Sequence, residues 1–269
     1  MTFSVVGRQG DGVGVAVASR FLAVGAMVPA ARAGVGAVAT QSYANLAYRA
    51  DGLELLAEGG TSHQVLDRLT AADDGRDQRQ AGVVGATGDG ATFTGSGCHD
   101  WAGGRAGDGY AVQGNILVGP EVVDAMERAW LAGSTTGDAL PERLLATLAA
   151  GDQAGGDRRG RQSAALVVVR PDGGYGGDDT EVDLRVDDHP SPVSELRRLL
   201  ELHRLYFGKP DPATLLPLEG EVAAEVARRL DALGYRSLED WAGVENFEER
   251  MVDGHIDPLV LDRLRAASS

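Results

Sequence analysis

The residue with the most chemistry in this chain is a threonine at position 2, directly after a methionine and at the head of the strand-like run Thr2-Phe3-Ser4-Val5-Val6. With the methionine removed, Thr2 would carry a hydroxyl nucleophile and a free α-amine on one residue. An amine that titrates near neutrality serves as the general base, so no histidine partner is required. A Met-Thr start ahead of a strand also fits an ordinary cytosolic chain. Four other polar clusters interrupt apolar sequence, several of them beside glycine, where a backbone can approach a ligand closely. They are Thr40-Gln41-Ser42-Tyr43-Ala44-Asn45, Gly97-Cys98-His99-Asp100-Trp101, Gln113-Gly114-Asn115, and the loop from Gly155 to Ser163.

The last of these sets Asp157, Arg158, Arg159, Arg161, Gln162 and Ser163 just before Ala164–Val169, the most hydrophobic segment of the chain. Solvated charge has little reason to gather there, so the loop reads as a binding or catalytic loop. Asn115 is compatible with two roles, an amide donor to a developing oxyanion or a strand-end amide that satisfies a turn, and Gln113 shares the second. His99, beside Cys98 and Asp100, invites a metal or thiol reading. One such cluster without a second His or Asp motif favours a turn instead, and no metal site is expected. No dinucleotide glycine fingerprint, phosphate-loop lysine or Gly-x-Ser-x-Gly elbow is present, so no cofactor is expected either.

These residues need elements to hold them. Phe3–Gly7, Gly14–Ala18 and Gly34–Thr40 read as strands, with Val28-Pro29-Ala30 as a turn. Asn45–Gly59 and the segment behind Thr61 read as helices, the second opened by a capping box of Thr61 with Gln64. Strands return at Ala81–Gly85, Ala91–Gly95 and Tyr110–Val118. Helices follow from Pro120 and over Pro141–Ala150, then strands at Ala164–Val169 and Val182–Val186 and a helix from Pro192 to Phe207. Gly208-Lys209-Pro210-Asp211-Pro212 reads as a linker, which divides the chain into domains at 1–208 and 209–269, the second with three amphipathic helices.

The chain has 269 residues, enough for a real core without disulfides. Its 25 Lys and Arg against 40 Asp and Glu leave a formal charge of -15, which repels phosphate backbones and anionic membrane surfaces. Nucleic acid and membrane partners are therefore not expected, and a small-molecule substrate and a homo-oligomer are. Cys98 is the single cysteine, which suits a reducing compartment, and with no secretion signal the expected location is cytoplasmic.

Thr2–Val6, Gly14–Gly25 and Ala33–Gln41 resemble the domain-of-unknown-function family numbered ten-twenty-eight. So do Gln113–Leu117, Gly156–Leu166 and Leu184–Pro190, in the same order, so the resemblance runs from residue 2 to about 207. That family resembles the N-terminal-nucleophile (Ntn) hydrolases. The resemblance implies an α+β fold, a four-layer αββα sandwich, followed here by a small helical module. It also implies Thr2 as nucleophile, with Ser19 at the end of the second strand and Arg32 near the next strand as further catalytic candidates, and Asn115, read above as a candidate oxyanion donor, joins them. The implied activity is hydrolysis of a small amide or related C–N bond. Gln41, Asn45, His99, Gln113, Asp157, Arg159, Gln162 and Ser163 would line the substrate site, and the arginines would suit a carboxylate on the substrate. Proteasome-type relatives place an aspartate and a lysine near the threonine, where this chain has Ala18 and Arg32. A non-catalytic binding protein on the same fold is the alternative. Leu238–Arg250 and Ile256–Leu261 resemble a family named for peptidoglycan binding, with a packing or dimerisation module as the other reading.

Overall fold

The computed structural model describes residues 2–268. The hairpin β1 (Thr2–Gln9) and β2 (Gly12–Ser19) turns at Gly10, whose φ of 60° favours glycine. A short helix α1 (Val24–Met27) leads into β3 (Pro29–Arg32) and β4 (Gly36–Ser42), then α2 (Ala47–Ala57) and α3 (Ser62–Ala71). Four strands follow, β5 (Arg79–Gly85), β6 (Gly90–Thr94), β7 (Gly103–Gly107) and β8 (Tyr110–Asn115). Next come α4 (Glu121–Thr136), α5 (Leu140–Gln153), β9 (Ser163–Val169), β10 (Thr180–Val186) and α6 (Pro192–Phe207).

The strands form two antiparallel sheets, one ordered β10-β9-β2-β1-β8-β7 and one ordered β3-β4-β5-β6. β2 is buried at every position and β1 at all but its last two, because each of their faces is covered. One face packs on the other sheet, where Val6, Val15 and Val17 meet Ala37, Ala39 and Val84. The other face carries α5 and α4, with Trp130, Leu144 and Leu148 fully buried. Gly7 permits this close approach, since a Cβ there would lie 2.3 Å from the Trp130 ring. Arg143 lies 3.7 Å over that ring and donates from Nε to the Trp130 carbonyl at 2.9 Å. Burial lowers its pKa.

On the second sheet, α2 and α3 bury Tyr48, Leu53, Leu56, Val65 and Leu69 against Val38 and Val83. Each such side chain contributes roughly 1.5–3 kcal/mol by leaving water. The expected capping box is formed. The Gln64 backbone N donates to Thr61 Oγ1 at 3.3 Å, and Thr61 N donates back to Gln64 Oε1 at 3.0 Å.

Two strands differ from the sequence expectation. Pro29, read as a turn residue, opens the edge strand β3, the one position in a sheet where a missing N–H costs little. The glycine-rich edge strand β7 has no alternation of apolar residues to announce it.

The compact units divide between Arg198 and Leu199, inside α6. The C-terminal unit holds α7 (Gly220–Leu233), α8 (Leu238–Glu245), α9 (Pro258–Ala267) and a small ladder of β11 (Leu216–Pro217) with β12 (His255–Ile256). Its own core includes Leu205, Val226, Leu230, Trp241, Phe247, Ile256, Leu261 and Leu264. A buried ion pair, Arg250 Nη1 to Asp257 Oδ2 at 2.6 Å, ties it together. Arg250 also donates to the carbonyls of Arg204 and Leu205, while Asp257 Oδ1 caps α9 by accepting from Leu259 N at 2.9 Å. Among the described residues no helix is long and apolar enough to cross a membrane.

Candidate functional site

Side chains alternate across a strand, so the hydroxyls of Thr2 and Ser4 point from β1 toward the second sheet while Phe3 and Val5 point toward the helices. β8 pairs Asn115 with Thr2 and Gln113 with Ser4, which sets four polar side chains on one face. Opposite them, β4 and β5 pair Gln41 with Gln80. The four amide side chains and Ser4 are at most 1% exposed, and Thr2 is 5% exposed.

The hydrogen bonds run in one direction through this layer. Gln113 Nε2 donates to Ser4 Oγ at 2.7 Å, and Ser4 Oγ donates to Gln41 Oε1 at 2.7 Å. Gln41 Nε2 and Asn115 Nδ2 both donate to Gln80 Oε1, at 2.8 Å and 2.9 Å. Both nitrogens also lie against the Thr2 carbonyl, at 3.3 Å and 3.5 Å. Gln80 Nε2 donates to the Gly114 carbonyl at 2.7 Å and to Thr94 Oγ1 at 2.9 Å. Backbone carbonyls, which only accept, fix the orientation of each amide. Gly82 leaves room for this layer, since a Cβ there would lie 2.3 Å from Gln113 Oε1. Among the described residues that oxygen has no hydrogen-bond partner.

At the end of β1, Thr2 Oγ1 lies 3.2 Å from Ser19 Oγ. Ser19 pairs with Ser163 on β9, so the loop from 155 to 163 adjoins it. Asp157 is buried and works as a brace. Its Oδ2 accepts from Arg20 N at 2.8 Å and its Oδ1 from Arg159 N at 2.8 Å, while Arg159 Nη2 reaches Oδ2 at 3.3 Å and the Arg20 carbonyl at 3.1 Å. Ser163 Oγ donates to the Phe21 carbonyl and accepts from Val24 N, and Gln162 N donates to the Ser19 carbonyl at 3.1 Å. A small cavity of about 70 Å³ lies beside Ser19, lined also by Phe3, Ala18, Asp157, Gly160 and Arg161.

The structure therefore brings Thr2, Ser19, Gln41, Gln113 and Asn115 together, with Asp157, Arg159, Gln162 and Ser163 in the adjoining brace. It places Arg32 elsewhere. Arg32 pairs with Gly36 at the far end of β4 from Gln41, and its guanidinium is bound to Glu54 on α2 at 2.6 Å. Asn45 is likewise committed, donating to Asp73 Oδ2 at 3.0 Å, and Asp73 also binds Arg79 at 2.9 Å. His99 is exposed, with Nε2 3.4 Å from Tyr43 Oη. Ser4 and Gln80 belong to the layer although the sequence reading did not single them out. Two-residue spacing from Thr2 pointed to Ser4, whereas Gln80 needed the β4–β5 register. Among the described residues no group of three or more His, Cys, Asp or Glu is arranged to hold a metal ion.

Residues 2–196 match the model of a family described as "Family of unknown function (DUF1028)", and residues 206–264 match one described as "Putative peptidoglycan binding domain". Among solved structures, the chain is similar to a Silicibacter pomeroyi protein described as a member of the first of these families. The two are 28% identical with a TM-score of 0.67, over 83% of this chain and 92% of that one. No curated protein matches. With the family model spanning nearly the whole two-sheet unit, this chain belongs to the family of unknown function DUF1028.

Proposed function

We propose that the two-sheet unit is an amidohydrolase of Ntn type that cleaves a C–N bond in a small amide with Thr2 as nucleophile. Its α4/α5 layer, two antiparallel sheets and α2/α3 layer are read as the four-layer αββα sandwich of that class. The observation that carries the reading is the position of Thr2, heading a central strand with its hydroxyl 3.2 Å from Ser19 Oγ. Around it lies a buried layer of neutral amides where a plain core would be apolar.

In this reading the Thr2 amine, freed by removal of whatever precedes it, takes the proton of Oγ1 as that oxygen attacks the substrate carbonyl carbon. The tetrahedral intermediate collapses by breaking the C–N bond. The proton passes to the departing nitrogen, and an ester on Thr2 remains for water to hydrolyse. Ser19 holds the nucleophile's hydroxyl, while Gln41 and Asn115 fix the strand end through the Thr2 carbonyl. Arg159, exposed at the rim, supplies a guanidinium for a carboxylate on the substrate.

The test is the mass of the mature protein followed by turnover of an amide panel. The expected outcome is a chain starting at Thr2 whose turnover falls at least roughly 10³-fold in Thr2→Ala, with the urea midpoint unchanged and partial activity kept in Thr2→Ser. A residue retained ahead of Thr2, or full turnover in Thr2→Ala, would rule the mechanism out.

A second reading rests on residues 206–264, which match the peptidoglycan-binding family and fold around their own core. In it, the C-terminal unit holds a cell-wall polymer.

A further inference from the structure

The C-terminal unit contains a groove of about 560 Å³, within the range that holds a peptide fragment or other small ligand. One face of α7 supplies its floor. Ala223, Val226, Ala227 and Leu230 recur at three- and four-residue spacing, and Leu238 at the start of α8 closes it. The two alanines leave the room that larger side chains would fill. Three charged residues line the same groove, the carboxylates of Asp231 and Glu239 and the guanidinium of Arg236. All three are exposed, and none forms an ion pair among the described residues. The contrast lies on the other side of α7, where Glu225 binds Arg229 at 2.8 Å and Arg265 at 2.9 Å.

An apolar floor with charge of both signs matches a ligand with the same pattern. A neutral glycan would leave three charges unanswered, and an anionic polymer would meet a unit that carries 14 Asp and Glu against 8 Lys and Arg over residues 199–269. We infer that this groove binds a short peptide carrying a free ammonium and a free carboxylate. The ammonium lies against Asp231 and Glu239, the carboxylate against Arg236, and an aliphatic stem lies along the α7 alanines. The assignment deepens the cell-wall reading of this unit and rests on it, because peptides with free amines and carboxylates are the charged part of such polymers.

Calorimetric titration of the full chain with the tetrapeptide Ala-Glu-Lys-Ala, free at both ends, tests it. A matched peptide with an acetylated N-terminus, glutamine for glutamate, norleucine for lysine and an amidated C-terminus serves as the uncharged control. The expected result is binding of the charged peptide and a Kd at least tenfold weaker for the control. Asp231→Asn/Glu239→Gln and, separately, Arg236→Gln should each weaken the charged peptide by a similar factor. These substitutions sit on the surface, and circular dichroism checks that the fold is kept. No binding, equal binding of the control, or variants that bind as well as the parent would overturn the proposal. Sedimentation of the full chain with purified cell walls reads the broader function separately. Sedimentation that survives the groove variants keeps the cell-wall reading and removes the groove. Peptide binding without sedimentation supports the groove and removes the wall.

Discussion

Between β1, β8, β4 and β5 the interior holds Ser4, Gln41, Gln80, Gln113 and Asn115 without one charge among them, whereas the C-terminal unit buries Arg250 against Asp257. The pair is a strut. Arg250 ties the end of α6 to the loop before α9, and Asp257 caps that helix. Asp157 in the first unit does the same work, joining the segment after β2 to the loop before β9. The neutral layer joins the two sheets, but its bonds also run up to the carbonyl of Thr2 and stop there. In this molecule buried charge marks places where chain segments are fastened, and the candidate chemistry sits among uncharged amides.

The comparison breaks first at the strut. Removing one partner of a buried ion pair strands the other, at a cost of about 3–5 kcal/mol. Asp257→Ala should therefore unfold the C-terminal unit while sparing the sheets. Native-state hydrogen exchange should show protection lost across α7, α8 and α9 and kept in β1 and β2. If protection in β1 fell equally, the two units would be one cooperative body and the contrast would fail. Replacing both partners, as Arg250→Met with Asp257→Leu, should recover part of the loss.

Gln80 gives the next largest effect. Gln80→Leu removes the shortest acceptor of the Gln41 and Asn115 side-chain amides and the side-chain donor to the Gly114 carbonyl, at a cost of about 2–3 kcal/mol in urea unfolding. The penalty belongs to the unpaired groups, so adding Gln41→Leu and Asn115→Leu should destabilise by less than the sum of the three single changes. Strict additivity would mean that the layer is a set of separate contacts and not a network.

How much of this was legible in the sequence follows from the distances involved along the chain. Alternation within a strand is local, so Phe3–Gly7, Gly14–Ala18 and Ala164–Val169 read correctly, and the two-residue spacing of Gln113 and Asn115 put both on one face. Thr61 with Gln64 likewise announced its helix. Register between distant strands is not local. It decides that Gln80 faces Gln41 and that Arg32 lies at the other end of β4. The loop from Gly155 to Ser163 drew notice for its charges, but only the fold shows that Asp157 turns inward onto two backbone N–H groups. β3 and β7 were missed because proline and glycine, the usual signs of a turn, are tolerated on the sheet edges that they form.

The finest test of neutral against charged burial is pH. Asp73 stands near α2 and α3, where its carboxylate accepts from Arg79 Nε at 2.9 Å, Asn45 Nδ2 at 3.0 Å and Gly75 N at 2.8 Å. The Arg79 hydrogen bond, ahead of the opposing effect of burial, holds its pKa well below the usual carboxylate range. A folded pKa below the unfolded one contributes stability that is present above the unfolded value, about 4, and is lost as pH falls through the folded value. Asp73→Asn removes that contribution. At pH 7 it should be the less stable protein, and the gap between its urea midpoint and that of the parent should narrow steadily as pH falls below about 4. Gln80→Leu alters no titrating group, so its gap should hold constant over the same range. Parallel curves for Asp73→Asn, or a converging curve for Gln80→Leu, would show that the division between charged fastenings and a neutral site layer does not describe how this protein holds its buried polar groups.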